Sequence, residues 1–276
     1  MTRRIALLLP LVVCLCASCQ IAEQRAVSMV LARGGKVVRD EKLPDRPVVA
    51  IDFNSSLVLS DGDLQQLPAL KDLRRLELGG TEITDVGLKY VKELNRLEYL
   101  GLAMTYITDA GLIDLLKQLT DLHKLGLAQT KITGVGLKAV SELKGLEELD
   151  LSDSQISDVD LKLINKMSQL RYLRLIRTSI TDTGVRDLKE LKNLENLSLS
   201  RTKITNACLK DLKVISSLRR LHLNYTAITD AGLSDLKELK GLEILDLAST
   251  NMSNEAIAEL RQALPGTKVG FYGSRY

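Results

Sequence analysis

Leucines recur along this chain in a fixed pattern that spaces three of them as L-x-x-L-x-L. After its first clear copy, in LRRLELGGTEITDVGL, the pattern returns at steps of 24 residues, with one step of 25. The copies begin at Leu73, Leu97, Leu122, Leu146, Leu170, Leu194, Leu218 and Leu242, and a weaker copy, VVAIDF, begins at Val48. Such a period indicates an array of structural repeats, in which neighbours complete the core that no single unit has alone.

Each repeat combines two different apolar spacings. Leu76 and Leu78 are two residues apart, so both lie on one face of a strand. The following segment, GLKYVKELNRL, places Leu88, Val91 and Leu94 three residues apart, which matches one face of a helix or a 3₁₀ turn. A strand and a helix in every 24 residues predict an α/β solenoid with a parallel sheet on one side and short helices on the other.

Two hydroxyl positions recur in every repeat. The first follows the strand and is occupied by Thr81, Thr105, Thr130, Ser154, Thr178, Thr202, Thr226 and Thr250. We expect these side chains to bond backbone groups of the adjacent turn, because a buried turn needs such partners. The second is occupied by Thr84, Thr108, Thr133, Ser157, Thr181, Thr205, Thr229 and Ser253. It is predicted to cap the helix, and the Asp or Asn that mostly follows it suits the positive end of the helix.

A third position is usually glycine. It is filled by Gly87, Gly111, Gly136, Gly184 and Gly232, with Asp160, Cys208 and Ala256 in three other repeats. A position that required a positive φ would not readily accept those three residues. Close packing of a small residue is therefore the prediction, and Cys208 is interpreted as a small core residue and not as a nucleophile.

The repeated frame, L-x-x-L-x-L-x-x-T-x-I-T-D-x-G-L, resembles the leucine-rich repeat over about residues 48–264. Its ITDxGL element resembles the cysteine-containing subclass, known from substrate-recognition arms of F-box proteins and from many bacterial proteins, although Thr or Ser replaces the Cys or Asn of that subclass. The resemblance implies a horseshoe with parallel strands on the concave face and short helices on the convex face. It also implies that the concave face binds other proteins.

The chain is expected to divide into four parts. Residues 1–18 are predicted to be a signal peptide, 19–47 an N-terminal linker and cap, 48–264 about nine repeats of period 24, and 265–276 a C-terminal cap and tail. Within the caps, a helix is expected over 21–33 with a strand after it over 36–39. A second helix is expected over 255–264, followed by a closing strand over 268–272.

The N-terminus has the layout of an export signal. Arg3 and Arg4 precede an apolar run over 5–15, which is shorter than the roughly 20 residues of a membrane span. The small residues before Cys19 resemble a bacterial lipoprotein cleavage site, so we expect lipidation of Cys19. Plain secretion and a retained anchor are the alternatives. The protein is thus expected in the cell envelope, at the periplasm or outer membrane, and to meet a membrane only through this lipid.

Composition narrows the possible chemistry. The formal charge of +3 is too small to indicate a nucleic-acid partner. Only Cys208 lies outside the leader, so one thiol cannot form a disulfide or a thiolate metal site within the body. The two histidines, His123 and His222, are four repeats apart, and no motif of catalysis is present. The sequence therefore predicts a protein that is not an enzyme and has no cofactor.

The outward positions of the strands indicate a candidate binding surface on a sheet roughly 38 Å wide. Early repeats present small or mixed residues, and the repeat at Leu146 is acidic. The candidate residues are Glu148, Asp150 and Asp153, followed by the basic and aromatic set Tyr172, Arg174, Arg177, Arg201, Arg220, His222 and Tyr225. Arg177, Arg201 and Tyr225 are expected to form one column, and Tyr172, Asn196 and Arg220 another. We interpret this surface as a site for an acidic partner protein, with the three carboxylates setting register at its edge; the alternative is an ordinary solvated sheet.

Three functions fit these observations to different extents. A protein-interaction scaffold of the bacterial envelope fits best, and a structural or self-associating envelope component is the alternative. Recognition of targets for ubiquitin transfer would need an F-box segment, and residues 20–47 are too short to hold one.

Overall fold

A computed structural model describes the backbone of residues 8–271 and the side chains of residues 18–271. The predicted signal peptide therefore lies mostly outside the described side chains, and its assignment stays a prediction. In the described part, all strands join one sheet in which spatial order equals chain order. The strands are β1 (Lys36–Arg39), β2 (Val48–Asp52), β3 (Arg75–Glu77), β4 (Tyr99–Gly101), β5 (Lys124–Gly126), β6 (Glu148–Asp150), β7 (Tyr172–Arg174), β8 (Asn196–Ser198), β9 (Arg220–His222), β10 (Ile244–Asp246) and β11 (Lys268–Gly270).

Strand pairing is parallel from β2 to β11, and only the first strand, β1, runs antiparallel to its neighbour. The central leucine of each strand pairs with that of the next, as Leu76 does with Leu100 and Leu100 with Leu125. These leucines are fully or almost fully buried. The register therefore aligns one core layer along the whole array.

Short helices cover the other side of this core. The α-helices are α1 (Leu8–Ala32), α2 (Asp85–Val91), α3 (Asp109–Leu116), α4 (Gly134–Val140), α5 (Asp158–Ile164), α6 (Asp182–Asp187), α7 (Leu209–Leu212), α8 (Leu233–Leu236) and α9 (Asn254–Ala263). Single 3₁₀ turns precede α7 and α8, and a 3₁₀ segment over Asp63–Ala69 takes the helix position in the first repeat. The predicted α/β solenoid of parallel strands and short helices is confirmed.

Both ends of the array are closed by the expected elements, with one difference. Strand β1, helix α9 and strand β11 lie within two residues of their predicted bounds. Helix α1, however, already includes Leu8, the first residue whose backbone is described, and so extends well before residue 21; this stretch contains no glycine that would interrupt it. The helix ends before Gly34, whose φ of +75° is a conformation that glycine adopts without strain.

The first hydroxyl column bonds within its own turn. Each hydroxyl donates to the carbonyl three residues earlier, at 2.5–2.8 Å, as Thr81 does to Leu78. The prediction that these side chains bond backbone groups of the turn is confirmed. They do not form a ladder between repeats.

The ladder between repeats is made by the carboxylate that follows the second hydroxyl column. Asp85 accepts the backbone N–H of Thr108 at 2.8 Å and its hydroxyl at 2.6 Å, although Thr108 lies in the next repeat. Asp61, Asp109, Asp158 and Asp182 accept the same two bonds from Thr84, Thr133, Thr181 and Thr205. These five helix caps are thus held by the preceding repeat, a contact that the helix-end interpretation of this carboxylate did not include.

This ladder explains the glycine position. A Cβ on Gly111 would lie 2.2 Å from Oδ1 of Asp85, and one on Gly136 would lie 2.4 Å from Oδ1 of Asp109. Neither glycine has a positive φ. At these glycines the carboxylate of the preceding repeat occupies the space that a side chain would need. The position accepts only small residues beside such a carboxylate, as Cys208 and Ala256 show beside the repeats of Asp182 and Asp230.

One junction replaces this arrangement. Gly134 stands where its neighbours have the ladder carboxylate, so the cap residue Ser157 has no acceptor from the preceding repeat. Asp160, at the glycine position of the same repeat as Ser157, accepts both the Ser157 N–H at 2.9 Å and its hydroxyl at 2.8 Å. A Cβ on Gly134 would lie 1.9 Å from Oδ1 of Asp160. Gly134 and Asp160 are therefore linked exceptions: the carboxylate that is absent at position 134 is supplied by position 160 in the next repeat.

We predict that Gly134→Asp and Asp160→Gly each destabilise the protein by about 1–2 kcal/mol, because the first crowds two carboxylates at one cap and the second leaves the cap without an acceptor. The double variant should restore the ordinary junction and recover most of the loss, giving a favourable coupling of about 1–2 kcal/mol in a urea-denaturation cycle. Additive losses in the double variant would show that the two positions do not share one carboxylate site.

Candidate functional site

The candidate residues lie on the sheet face, defined as the side-chain surface of β1–β11 opposite the leucine core. Backbone pairing places Tyr172 beside Asn196 and Asn196 beside Arg220, so the predicted column across β7, β8 and β9 is present. Arg174, Ser198 and His222 form a parallel column two residues further along the same strands.

The second predicted column lies in the turns that follow the strands. Arg177, Arg201 and Tyr225 occupy the same place in consecutive repeats, with φ values of +58°, +59° and +57°. Each N–H donates to a backbone carbonyl of the next repeat, at 2.8–3.0 Å. Left-handed backbone is unfavourable for residues with a Cβ, so neighbouring repeats hold these side chains at the rim of the sheet face.

The three carboxylates of β6 and its turn are ion-pair partners of neighbouring cations. Asp150 lies 3.8 Å from Arg174, and Asp153 lies 3.1 Å from Arg177. Glu148 binds Lys124 on the other side. These carboxylates therefore partly neutralise the cations and draw the Arg174 and Arg177 side chains toward β6.

The opposite edge of the basic set is arranged in the same way. Arg220 lies 3.8 Å from Glu243, and Nδ1 of His222 lies 3.8 Å from Asp246 on β10. Arg201 differs, since its guanidinium carbon lies 3.9 Å from the ring centroid of Tyr225, and no ion pair within the described residues involves it. The arginines of β7 and β9 and their turns thus lean away from β8, while Arg201 lies over an aromatic ring that is 52% exposed.

Strand β8 and the turn after it present two serines that the sequence interpretation did not single out. Ser198 and Ser200 lie on the sheet face, between the cationic side chains of β7 and β9, and are only 5% and 7% exposed. Their only sequence signal is their size, because most neighbouring positions hold longer side chains.

A separate cluster occupies the N-terminal half of the sheet face. The Tyr99 hydroxyl donates to Glu77, and the guanidinium carbon of Arg75 lies 3.5 Å from the Tyr99 ring centroid. The Glu77 side chain covers Gly101, where a Cβ would lie 2.1 Å from Oε1. Burial, followed by the hydrogen bond to Glu77 and the charge of Glu77, raises the pKa of Tyr99 to about 12.

Groups that could support catalysis or metal binding are kept apart in the described chain. Cys208 is fully buried, and burial, with the nearby Asp182 carboxylate, raises the pKa of its thiol. His123 immediately precedes β5 and His222 lies on β9, four strands away. Among residues 18–271, no three His, Cys, Asp or Glu side chains are grouped to hold a metal ion.

The predicted lipidation residue, Cys19, is exposed on helix α1. None of the helices in the part of the chain that the structure describes combines the length and the apolar character required to cross a membrane. Lipidation of Cys19 stays a prediction.

Comparison with known proteins defines the class of fold. A family model described as leucine-rich repeat matches residues 120–180, and a second model of the same description matches 69–91 and 214–237. Similar solved structures include internalin C2 from Listeria monocytogenes, at 24% identity and a TM-score of 0.57, covering 91% of this chain and 92% of that one. A leucine-rich-repeat protein of Leptospira interrogans is also 24% identical, with a TM-score of 0.52, covering 80% of this chain and 71% of that one.

No curated protein matches the sequence significantly. The chain contains leucine-rich repeats and folds as a leucine-rich-repeat solenoid. Proteins of this class typically serve as scaffolds that bind other proteins and are not enzymes.

We predict that Tyr99 ionises near pH 12 and that Glu77→Gln lowers its pKa, because the neutral amide removes the repelling charge. Since the folded-state pKa is raised above the ordinary value of about 10, the stability linked to Tyr99 is complete below pH 10 and is lost between about pH 10 and 12. Ultraviolet titration of the protein and of Tyr99→Phe isolates this step by difference. An unchanged titration in Glu77→Gln would contradict the assigned cause.

Proposed function

We propose that this protein is a non-enzymatic scaffold of a bacterial cell envelope that binds a partner protein on the sheet face across β7, β8 and β9. The observation that carries the proposal is the concentration of arginine and tyrosine side chains on these three strands and their turns. Tyr and Arg are the residue types enriched among those that dominate binding energy at protein interfaces. The core does not use these side chains, since Arg174, Arg177, Arg201 and Tyr225 are all exposed.

The ion pairs across neighbouring strands support a preorganised surface. Asp150 and Asp153 hold Arg174 and Arg177 in place, and the Tyr225 ring does the same for Arg201. Ordering these long side chains before binding lowers the entropy that a partner must overcome. We therefore propose that the carboxylates of β6 orient the arginines and do not contact the partner directly.

Export and a lipid on Cys19 complete the proposal. Cys19 lies exposed at the N-terminal side of the repeats, and the helix from Cys19 to Ala32 packs onto the first repeat through Ala26, Met29 and Val30. A lipid at this position would hold the solenoid at a membrane by its N-terminal end and leave the sheet face open to a partner.

The scaffold role predicts that Arg177→Glu, Arg201→Glu and Arg220→Glu together abolish capture of the partner. The partner would first be identified by proximity labelling in the native organism and then captured with purified protein. A matched control reverses Arg186, Lys213 and Lys237, which pair with carboxylates on the helix side. Equal capture by the sheet-face variant and the unmodified protein would refute binding at this surface.

The lipid anchor predicts that Cys19→Ala moves the protein from the membrane fraction to the soluble fraction. Cys208→Ala is the control, because it removes the buried thiol and leaves Cys19 in place; the equivalent position of a later repeat already holds Ala256. Fractionation followed by mass measurement of the mature N-terminus decides the outcome. A protein that is already soluble before substitution would exclude lipidation.

A further inference from the structure

The hydroxyls of Ser198, on β8, and Ser200, in the turn that follows it, have no hydrogen-bond partner within the described residues, although both residues are more than nine-tenths buried. Ser198 is 5% exposed and Ser200 is 7% exposed. All eight hydroxyls of the turn column, by contrast, bond a carbonyl. Among the described residues, the buried side-chain atoms without a partner are Oδ1 of Asn165 and Oδ2 of Asp211, and neither serine oxygen is one of them. Both hydroxyl oxygens therefore contact solvent at the sheet face and can donate to a bound group.

The equivalent position in the turn after β6 shows what a structural serine does in this array. Ser152 occupies the place of Ser200 two repeats earlier and is also buried, at 6% exposed. Its Oγ accepts the N–H of Ile176 from the neighbouring repeat at 3.3 Å. No corresponding bond to Ser200 is present, and the Ser198 hydroxyl also lacks one. Neither serine is therefore explained by contacts within the array.

The surroundings of the two serines favour an anionic group. The sheet-face positions of β7, β8 and β9, together with their turns, hold Arg174, Arg177, Arg201 and Arg220 and no carboxylate. The nearest sheet-face carboxylates, on β6 and β10, are two strands from β8, or roughly 10 Å, whereas the arginines of β7 and β9 are one strand away. Glu195, which precedes β8, is bound by Arg171 at 2.8 Å.

The spacing of the hydroxyls matches an extended peptide. Ser198 and Ser200 are two residues apart, which along a strand is about 6.6 Å. Alternate side chains of an extended partner segment have the same separation. The cations of β7 and β9 lean toward β6 and β10. The part of the sheet face directly above β8 is therefore flanked by positively charged side chains but is not covered by them.

We propose that β8 receives an extended acidic segment of the partner protein, with carboxylates on alternate residues accepting hydrogen bonds from Ser198 and Ser200 between the arginines of β7 and β9. This inference rests on the proposed binding of a partner at the sheet face and identifies the recognised chemistry. Hydroxyls that donate to a carboxylate form charge-assisted bonds, which are stronger than neutral ones. In the complex, the two hydroxyls would then exchange solvent for a carboxylate partner.

The first test uses a fluorescein-labelled peptide of alternating Gly and Glu, with the Gly-Gln peptide as the uncharged control. Fluorescence anisotropy with the purified full-length protein should show binding of the Glu peptide and none of the Gln peptide. Ser198→Ala with Ser200→Ala should weaken binding by about tenfold for each lost hydroxyl. Ser152→Ala, which removes a hydroxyl already used within the array, should leave the affinity unchanged.

Stability provides a readout that a structural role would move. Removing an unpartnered hydroxyl should leave the urea midpoint of Ser198→Ala with Ser200→Ala unchanged or higher. Thr202→Val, which removes the hydroxyl that donates to Leu199 at 2.6 Å, should lower it. A fall in the serine variant comparable to that of Thr202→Val would show that the serines are structural, and equal affinity of serine variant and unmodified protein for the Glu peptide would also overturn the proposal.

The failure of this inference is distinguishable from failure of the scaffold role. Capture of the partner should be lost both in the triple arginine reversal and in the double serine variant. If only the arginine reversal abolishes capture, the partner binds the sheet face without using the β8 hydroxyls, and the inference is wrong. If neither does, the sheet face is not the interface and both proposals fall.

Discussion

The carboxylate that reaches from one repeat to the helix cap of the next is the contact on which the rest of the array depends. Leucine burial attracts neighbouring repeats but has little direction. The bonds from Asp85 to the N–H and hydroxyl of Thr108 have fixed lengths and angles, so they set where the next helix begins. With the helix start fixed, the following strand meets its neighbour in the register that aligns the leucines and the sheet-face columns.

The same contact limits side-chain size on the helix side and leaves the sheet face free to vary. Gly111 is small because Asp85 fills the space above it. On the sheet face, each repeat requires only that the strand backbone pairs. Long and charged side chains are therefore accommodated there without loss of core packing, which places the partner-specific residues on that face.

Much of this fold could be predicted because its determinants recur at one spacing. The leucines, the hydroxyl columns and the strand order all follow from the period of 24. The function of the ladder carboxylate could not be predicted, because its partner lies 23 or 24 residues away and the helix dipole offers a sufficient local explanation. For the same reason, the sequence alone does not link Asp160 to Gly134. On the sheet face, the residue types show the sign of each charge but not the direction in which an arginine leans. The pairing of Arg177 with Asp153, and the part of the sheet face above β8 that the arginines do not cover, are visible only in the structure.

The exchange between Gly134 and Asp160 gives the array one junction of a different kind. At an ordinary junction, the helix cap of a repeat is bound by an acceptor in the preceding repeat. Such a repeat can follow only a unit that has Asp or Asn directly after its own cap residue. The repeat that contains Ser157 and Asp160 carries its own acceptor. This repeat can therefore follow a unit that has no acceptor carboxylate. A repeat at the start of a duplicated block must be able to do so. Duplication of a block of repeats that begins at this self-capped repeat would leave every helix cap with an acceptor. The solenoid could therefore change its length at this junction.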